Sequence, residues 1–196
     1  MSFLLSARPT IVDRIFSKSL TTDILLVTGG AALTAAAAQI TIPMFPVPMT
    51  GQTFAVLLVA ATLGLSRSAL SMVLYVLVGS LGAPVFAGAA SGFFGSTTGY
   101  LIGFIAAAVV VGYLAEKGWD RTPLNVAASF ALGSLVIYAF GVSWLSIYLG
   151  SVGAANDFVT SISLGMLPFL VGDALKATLA AALLPSAWAA VKKIKG

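Results

Sequence analysis

The sequence predicts an all-α, polytopic integral membrane protein with six transmembrane helices and both termini in the cytoplasm. Three observations carry this. Of 196 residues, 59% are hydrophobic and only 8% are charged, whereas a soluble domain carries about 25% charged residues. So little charge cannot cover a water-facing surface, and lipid must solvate much of the chain. The apolar residues gather into six runs parted by proline, glycine or charge. The basic residues, finally, occupy alternate breaks only.

The elements follow in order. Ile11, Val12, Ile15, Phe16 and Leu20 share one helical face, with Asp13, Arg14 and Lys18 elsewhere. Residues 1–22 therefore read as a cytoplasmic amphipathic segment with a short helix on the membrane surface, not as a signal peptide. Residues 23–191 form the six-helix bundle. A spanning helix needs about 20 apolar residues, roughly 17 to 25. The first run covers 24–42, with Thr22-Asp23 as its N-cap, and Pro43, Pro46 and Pro48 end it in an extended loop. The second, from Gln52 to Gly64-Leu65, is short and is expected to be tilted or shielded by neighbours. The third covers 68–81, closed by Gly82 and Pro84, and a long Gly-rich stretch follows. The fourth covers 99–115. The fifth starts at Pro123, a favourable first-turn residue, and reaches about Phe140, continuing irregularly toward Leu149. The sixth covers 167–188.

Charge sets the orientation. Arg8, Arg14 and Lys18 precede the first helix; Arg67 lies between the second and third; Lys117 and Arg121 lie between the fourth and fifth; Lys192, Lys193 and Lys195 follow the sixth. All face one compartment, and the loops 43–51, 83–98 and 150–166 on the other side hold no Lys or Arg. The positive-inside rule makes the basic side cytoplasmic, in a cell (inner or cytoplasmic) membrane. The pI of about 9.6 is thus topology and gives no reason to invoke nucleic acid. With no cysteine and no histidine, disulfides, thiol catalysis and imidazole-bound metals are excluded. No Gly-x-x-x-x-Gly-Lys-Ser/Thr motif provides a P-loop. No catalytic residue, metal ligand or cofactor is assigned.

Asp173 and Lys176 stand inside apolar sequence, three residues apart and so on one face of the sixth helix, in its outer half. An ionisable group at that depth costs at least ~2.5–3.5 kcal/mol and usually faces the bundle interior. The pair is either a structural ion pair or a polar site for a ligand entering from outside. As a site it offers an acceptor of N–H groups and a donor to carbonyl or carboxylate oxygen. The outer loops are either ordinary connections with aromatics at the membrane interface or a lid that closes such a site. One holds Pro43, Pro46, Pro48, Thr50, Gln52 and Thr53; the other interleaves Gly82, Gly88, Gly92, Gly95 and Gly99 with Phe86, Phe93, Phe94 and Tyr100. In the first helix, Ala31/Ala35 and Ala32/Ala36 set small residues four apart, which lets another helix approach closely. That helix belongs either to this bundle or to a partner.

Four segments carry a resemblance. Ile42-Pro43-Met44-Phe45-Pro46-Val47-Pro48-Met49-Thr50-Gly51-Gln52-Thr53-Phe54, Gly82-Ala83-Pro84-Val85-Phe86-Ala87-Gly88, Gly95-Ser96-Thr97-Thr98-Gly99-Tyr100-Leu101-Ile102-Gly103-Phe104, and Pro168-Phe169 with Gly172-Asp173 and Lys176 resemble, in order, the signatures of the BioY family. These are the biotin-specific substrate-binding (S) components of energy-coupling factor (ECF) transporters. The resemblance implies one transmembrane substrate-binding domain over residues 1–196, binding biotin from outside. It implies ligand contacts from Asp173, Lys176, Gln52 and Tyr100, with Phe86 and Ser91 from the Gly-rich loop. It implies docking of a transmembrane coupling (T) component, itself joined to ATPase subunits, on the face of Ala31, Ala32, Ala35 and Ala36. Family members commonly carry Arg or Asn in the loop after the third helix. This loop has neither, so Ser91, Thr97 or backbone N–H groups are the candidates for a carboxylate contact. Which end of biotin Lys176 would meet stays open. The rival readings are an S component for another vitamin such as thiamine or riboflavin, an intramembrane enzyme using Asp173 as base, and a ligand-free scaffold.

Overall fold

The computed structural model describes residues 9–155 and 157–195. Its helices are α1 (Ile11–Ile15), α2 (Leu20–Ala38), α3 (Gln52–Leu63), α4 (Leu65–Ser80), α5 (Thr98–Glu116), α6 (Pro123–Ser151), α7 (Phe158–Gly165) and α8 (Leu170–Lys195). Strands β1 (Thr41–Ile42) and β2 (Met49–Thr50) form one small hairpin. The six expected bundle helices are α2, α3, α4, α5, α6 and α8; α1 and α7 are short additions. Helices α2, α5 and α6, and α8 with the segment before it, are each long and apolar enough to cross a membrane.

Helix α2 starts and stops earlier than its hydrophobicity suggests. Ser19 is the N-cap, accepting a hydrogen bond from the Thr22 backbone N–H at 3.1 Å; Thr22-Asp23 is already inside the helix. The helix ends at Ala38, because Thr41 and Ile42 pair antiparallel with Thr50 and Met49. The prolines occupy the turn of this hairpin and do not cap the helix, and the Phe45–Pro46 peptide is cis.

Helix α3 spans only about 18 Å at 1.5 Å per residue, less than the ~30 Å hydrocarbon core. Most of it is buried by neighbouring helices, so it is shielded as expected. Only Gly64 separates it from α4, at φ +79, and a Cβ there would meet Glu116 Oε1 at 2.8 Å and Thr10 Cγ2 at 2.9 Å. Glycine is the residue that tolerates both demands. The same Glu116 oxygen accepts from Leu65 N at 3.0 Å, capping α4.

Helix α5 lies at the centre, against α3, α4 and α6. At Gly103 a Cβ would lie 3.0 Å from the Ile137 backbone of α6, so the close crossing requires glycine. Helix α6 is continuous to Ser151, where an irregular stretch was expected after Phe140; uninterrupted packing on α5 and α8 keeps it helical. Helix α7 replaces part of the expected 150–166 loop. Asp157 caps it, accepting from Thr160 N at 2.9 Å, and it packs on α6. Helix α8 begins at Leu170 after a 3-10 turn at Leu167–Phe169 and runs to Lys195, past the expected end near 188.

The amphipathic segment also differs from expectation. Ile11 and Val12 are buried in the protein core, while Ile15, Phe16 and Leu20 are exposed. Helix α1 therefore seats one edge on the bundle and leaves Ile15 exposed. Its anchor is Arg67, which is buried in the first turn of α4 and does not lie in a loop. Arg67 pairs with Asp13 of α1 and Asp23 of α2, each at 2.7 Å. Arg8 and the Lys195 side chain lie outside the described residues.

Candidate ligand-binding cavity

The sequence places a polar pair in the outer half of the sixth helix, and the fold surrounds that pair with a cavity. It spans about 570 Å³ between the side chains, part of it open to solvent. It lies at the end of the bundle opposite Arg67. Five elements supply its wall: the hairpin with the start of α3, the Gly-rich loop, the first half of α5, the middle of α6 and the start of α8.

Lys176 is the hub. Its ammonium donates to Thr53 Oγ1 at 2.6 Å, to the Thr50 carbonyl at 3.1 Å and to Asp173 Oδ1 at 3.3 Å. The other Asp173 oxygen accepts from the Tyr138 hydroxyl. The ion pair is therefore present and also faces the cavity, so the two readings of it are compatible. The carboxylate joins α8 to α6, and the ammonium joins α8 to the hairpin and α3. Each carboxylate oxygen has lone pairs beyond these contacts, so the pair can accept and donate to a ligand while staying in place.

Gln52 lines the cavity but is nearly buried. Its amide donates to Tyr75 Oη at 2.6 Å and its oxygen accepts from Thr50 Oγ1 at 2.8 Å. Tyr75 in turn donates to the Val85 carbonyl at 3.1 Å, so Gln52 fastens the hairpin and the Gly-rich loop to the bundle. Tyr100 presents its ring to the cavity while its hydroxyl donates to the Gly165 carbonyl at 2.7 Å. Phe86 is buried edge-on against Tyr75, ring centroids 5.4 Å apart, and lines the cavity. Ser91 is exposed on the Gly-rich loop and does not line the cavity. Thr97, the other polar side chain considered there, does.

Several wall residues escaped the sequence reading. Tyr138 is the chief one, and Phe104, Leu101 and Ile137 add apolar surface. Tyr138 had a readable signal: a phenol in the middle of an apolar helix needs a hydrogen-bond partner, and the polar candidates at that depth were Asp173 and Lys176. Besides the Tyr75–Val85 bond, side chains hold the Gly-rich loop at further points: Gln39 Nε2 donates to the Phe86 carbonyl at 3.2 Å and Gln39 Oε1 accepts from Ala89 N at 3.0 Å. Ser96 Oγ donates to the Pro46 carbonyl at 2.7 Å, and Trp144 Nε1 donates to the Gly95 carbonyl at 2.8 Å.

The small-residue face of α2 divides. Ala31 is buried and Ala35 partly buried within the bundle, whereas Ala32 and Ala36 are exposed together with Gly29. Only the second set is open to a partner.

Comparison with known proteins agrees with this architecture. A family model described as the BioY family matches residues 9–193. The biotin transporter BioY of Thermotoga maritima is 42% identical over 153 residues, covering 76% of this chain and 86% of that one. The probable biotin transporter BioY of Pyrococcus horikoshii is 38% identical over 161 residues, covering 81% and 91%. The crystal structure of an S-component for biotin from an ECF-type ABC transporter shares the fold, with a TM-score of 0.67, 20% identity and coverage of 87% of this chain and 93% of that one. The four ordered motifs, the six-helix bundle and these matches together make the chain a member of the BioY family.

Proposed function

We propose that this chain is the biotin-capturing S component of an ECF-type transporter, a transport protein and not an enzyme. The observation that carries the proposal is the Asp173–Lys176 pair facing a mainly apolar cavity at one end of an apolar helical bundle. Biotin's ureido ring has two N–H donors and one carbonyl, and its aliphatic tail ends in a carboxylate. Asp173 accepts ureido N–H groups, and Lys176 donates to a ligand oxygen. Phe86, Phe104 and Phe169 enclose the fused rings and the tail, excluding water and strengthening the polar contacts. The names of the relatives support the same ligand.

The basic end of the bundle faces the cytoplasm in this reading, placing the chain in the cytoplasmic membrane with the cavity toward the outside. A T component docks on the exposed Gly29–Ala32–Ala36 stripe of α2 and links the chain to ATPase subunits. Thermal-shift screening of the purified chain against a vitamin panel tests the ligand. Biotin alone should raise the melting temperature in proportion to the logarithm of its concentration. A shift with thiamine or riboflavin and none with biotin overturns the assignment.

A further inference from the structure

A second cavity lies back to back with the first. It is a groove of about 660 Å³, part of it open to solvent, between α6 and α8, and nearly all apolar. Small side chains on the facing helices create it: Ala131 and Ser134 on α6, Ala174 and Ala177 on α8. Its floor is Phe130, Tyr138 and Asp173. Tyr138 and Asp173 also line the ligand cavity, so one hydrogen-bonded pair divides the two spaces.

We propose that this groove holds an acyl chain of a membrane lipid. Both helices belong to membrane-crossing segments, and the groove is continuous with their lipid-facing surface. Its rim residues Ala131, Leu135, Leu170 and Ala174 are exposed, and exposed Val171 and Leu175 extend the same face along α8. At that depth no water satisfies polar groups, and an empty furrow forfeits dispersion contacts along its whole lining. A flexible hydrocarbon chain fits an apolar groove in which Tyr138 and Asp173 already satisfy one another. The chain seals the back of the Tyr138–Asp173 pair and keeps lipid headgroups and water out of the ligand cavity from the side. The assignment rests on the membrane fold and does not depend on which vitamin binds in front.

The test is photo-crosslinking in lipid nanodiscs, using phosphatidylcholine with a diazirine on one acyl chain, read by peptide mass spectrometry. Adducts should concentrate on residues 131–138 and 170–177. Ala174→Phe fills the groove from its exposed rim and should cut those adducts severalfold, leaving labelling of the α2 lipid face unchanged. Ala131→Phe does the same from the opposite helix and guards against a folding defect in the first variant. Leu175→Phe, on the lipid face outside the groove, should change nothing. Adducts distributed simply by lipid exposure, or adducts that persist in both filled variants, overturn the proposal. So does protein–protein crosslinking at Ala174 that excludes the lipid probe, which would give the groove to a partner helix.

Discussion

At the scale of single residues, the site depends on charges whose positions are fixed by neutral groups. Asp173 would be costly in the membrane alone; Lys176 and Tyr138 hold it from two sides. Tyr138→Phe keeps the ring and removes the donor to Asp173. A net hydrogen bond contributes about 1 kcal/mol, so biotin affinity should fall about fivefold in equilibrium binding. In an Asp173→Asn background the same change should do almost nothing, because Tyr138 acts through the carboxylate. Equal losses in both backgrounds would give Tyr138 an independent role. Asp173 and Lys176 were legible in the sequence because charge inside apolar sequence is rare. Tyr138 was legible only through its need for a hydrogen-bond partner, a weaker signal because a tyrosine in an apolar run also suits lipid or core. Ser91 was misplaced for the opposite reason: a loop's composition says which polar groups are available but not which way the backbone turns them.

At the scale of elements, the end of the bundle away from the cavity is fastened by Arg67 between Asp13 and Asp23. Arg67→Met removes the shared cation and leaves two buried carboxylates without it. Breaking a buried ion pair costs about 3–5 kcal/mol, which a melting curve of the detergent-solubilised protein should show as a large drop. Burial alone would raise the Asp13 pKa, but hydrogen bonds from Arg67 and the Thr10 backbone outweigh it and hold the carboxyl below its ordinary 3.8. A carboxylate with a depressed folded-state pKa stabilises the fold above its ordinary value. That stabilisation is lost as pH falls below 3.8 through the lowered value, so hydrogen exchange in α1 should accelerate there. An α1 whose protection does not change across that range would mean that Ile11 and Val12 alone hold it. Helix identity was readable from hydrophobic runs and their punctuation, but several boundaries were not. The run of α2 reads on to Ile42, yet Thr41 and Ile42 form one strand of the hairpin; α7 is too short to stand out as a separate run.

At the scale of the whole molecule, one end holds the cavity, the other end carries basic residues, and α2 offers a lateral face. A cysteine at Ser91 or Ala155, both exposed, should react with an impermeant maleimide on intact cells. One at Thr122, also exposed, should react only after the membrane is opened. Reaction of Thr122→Cys from outside would invert the topology and end the uptake reading. Ala36→Trp places a large ring on the exposed side of α2 and should leave biotin binding intact while blocking ATP-dependent uptake in the assembled transporter. A parallel loss of both would show that this face packs within the bundle. The expectation for each cysteine comes from where Lys and Arg stand in the chain. The division of the alanine face was not legible in the sequence, because small residues serve internal and external packing equally well.

The most direct measurement of the central claim is a calorimetric titration of biotin into the purified wild-type chain and into the Asp173→Asn/Lys176→Met double variant. Charge-assisted hydrogen bonds contribute ~1.5–3 kcal/mol each, and about 1.4 kcal/mol is tenfold in affinity. The wild type should bind one biotin saturably, and the folded double variant should bind at least about a hundredfold more weakly. Wild-type protein that takes up no biotin, or a folded double variant that binds it as tightly as the wild type, would contradict the account.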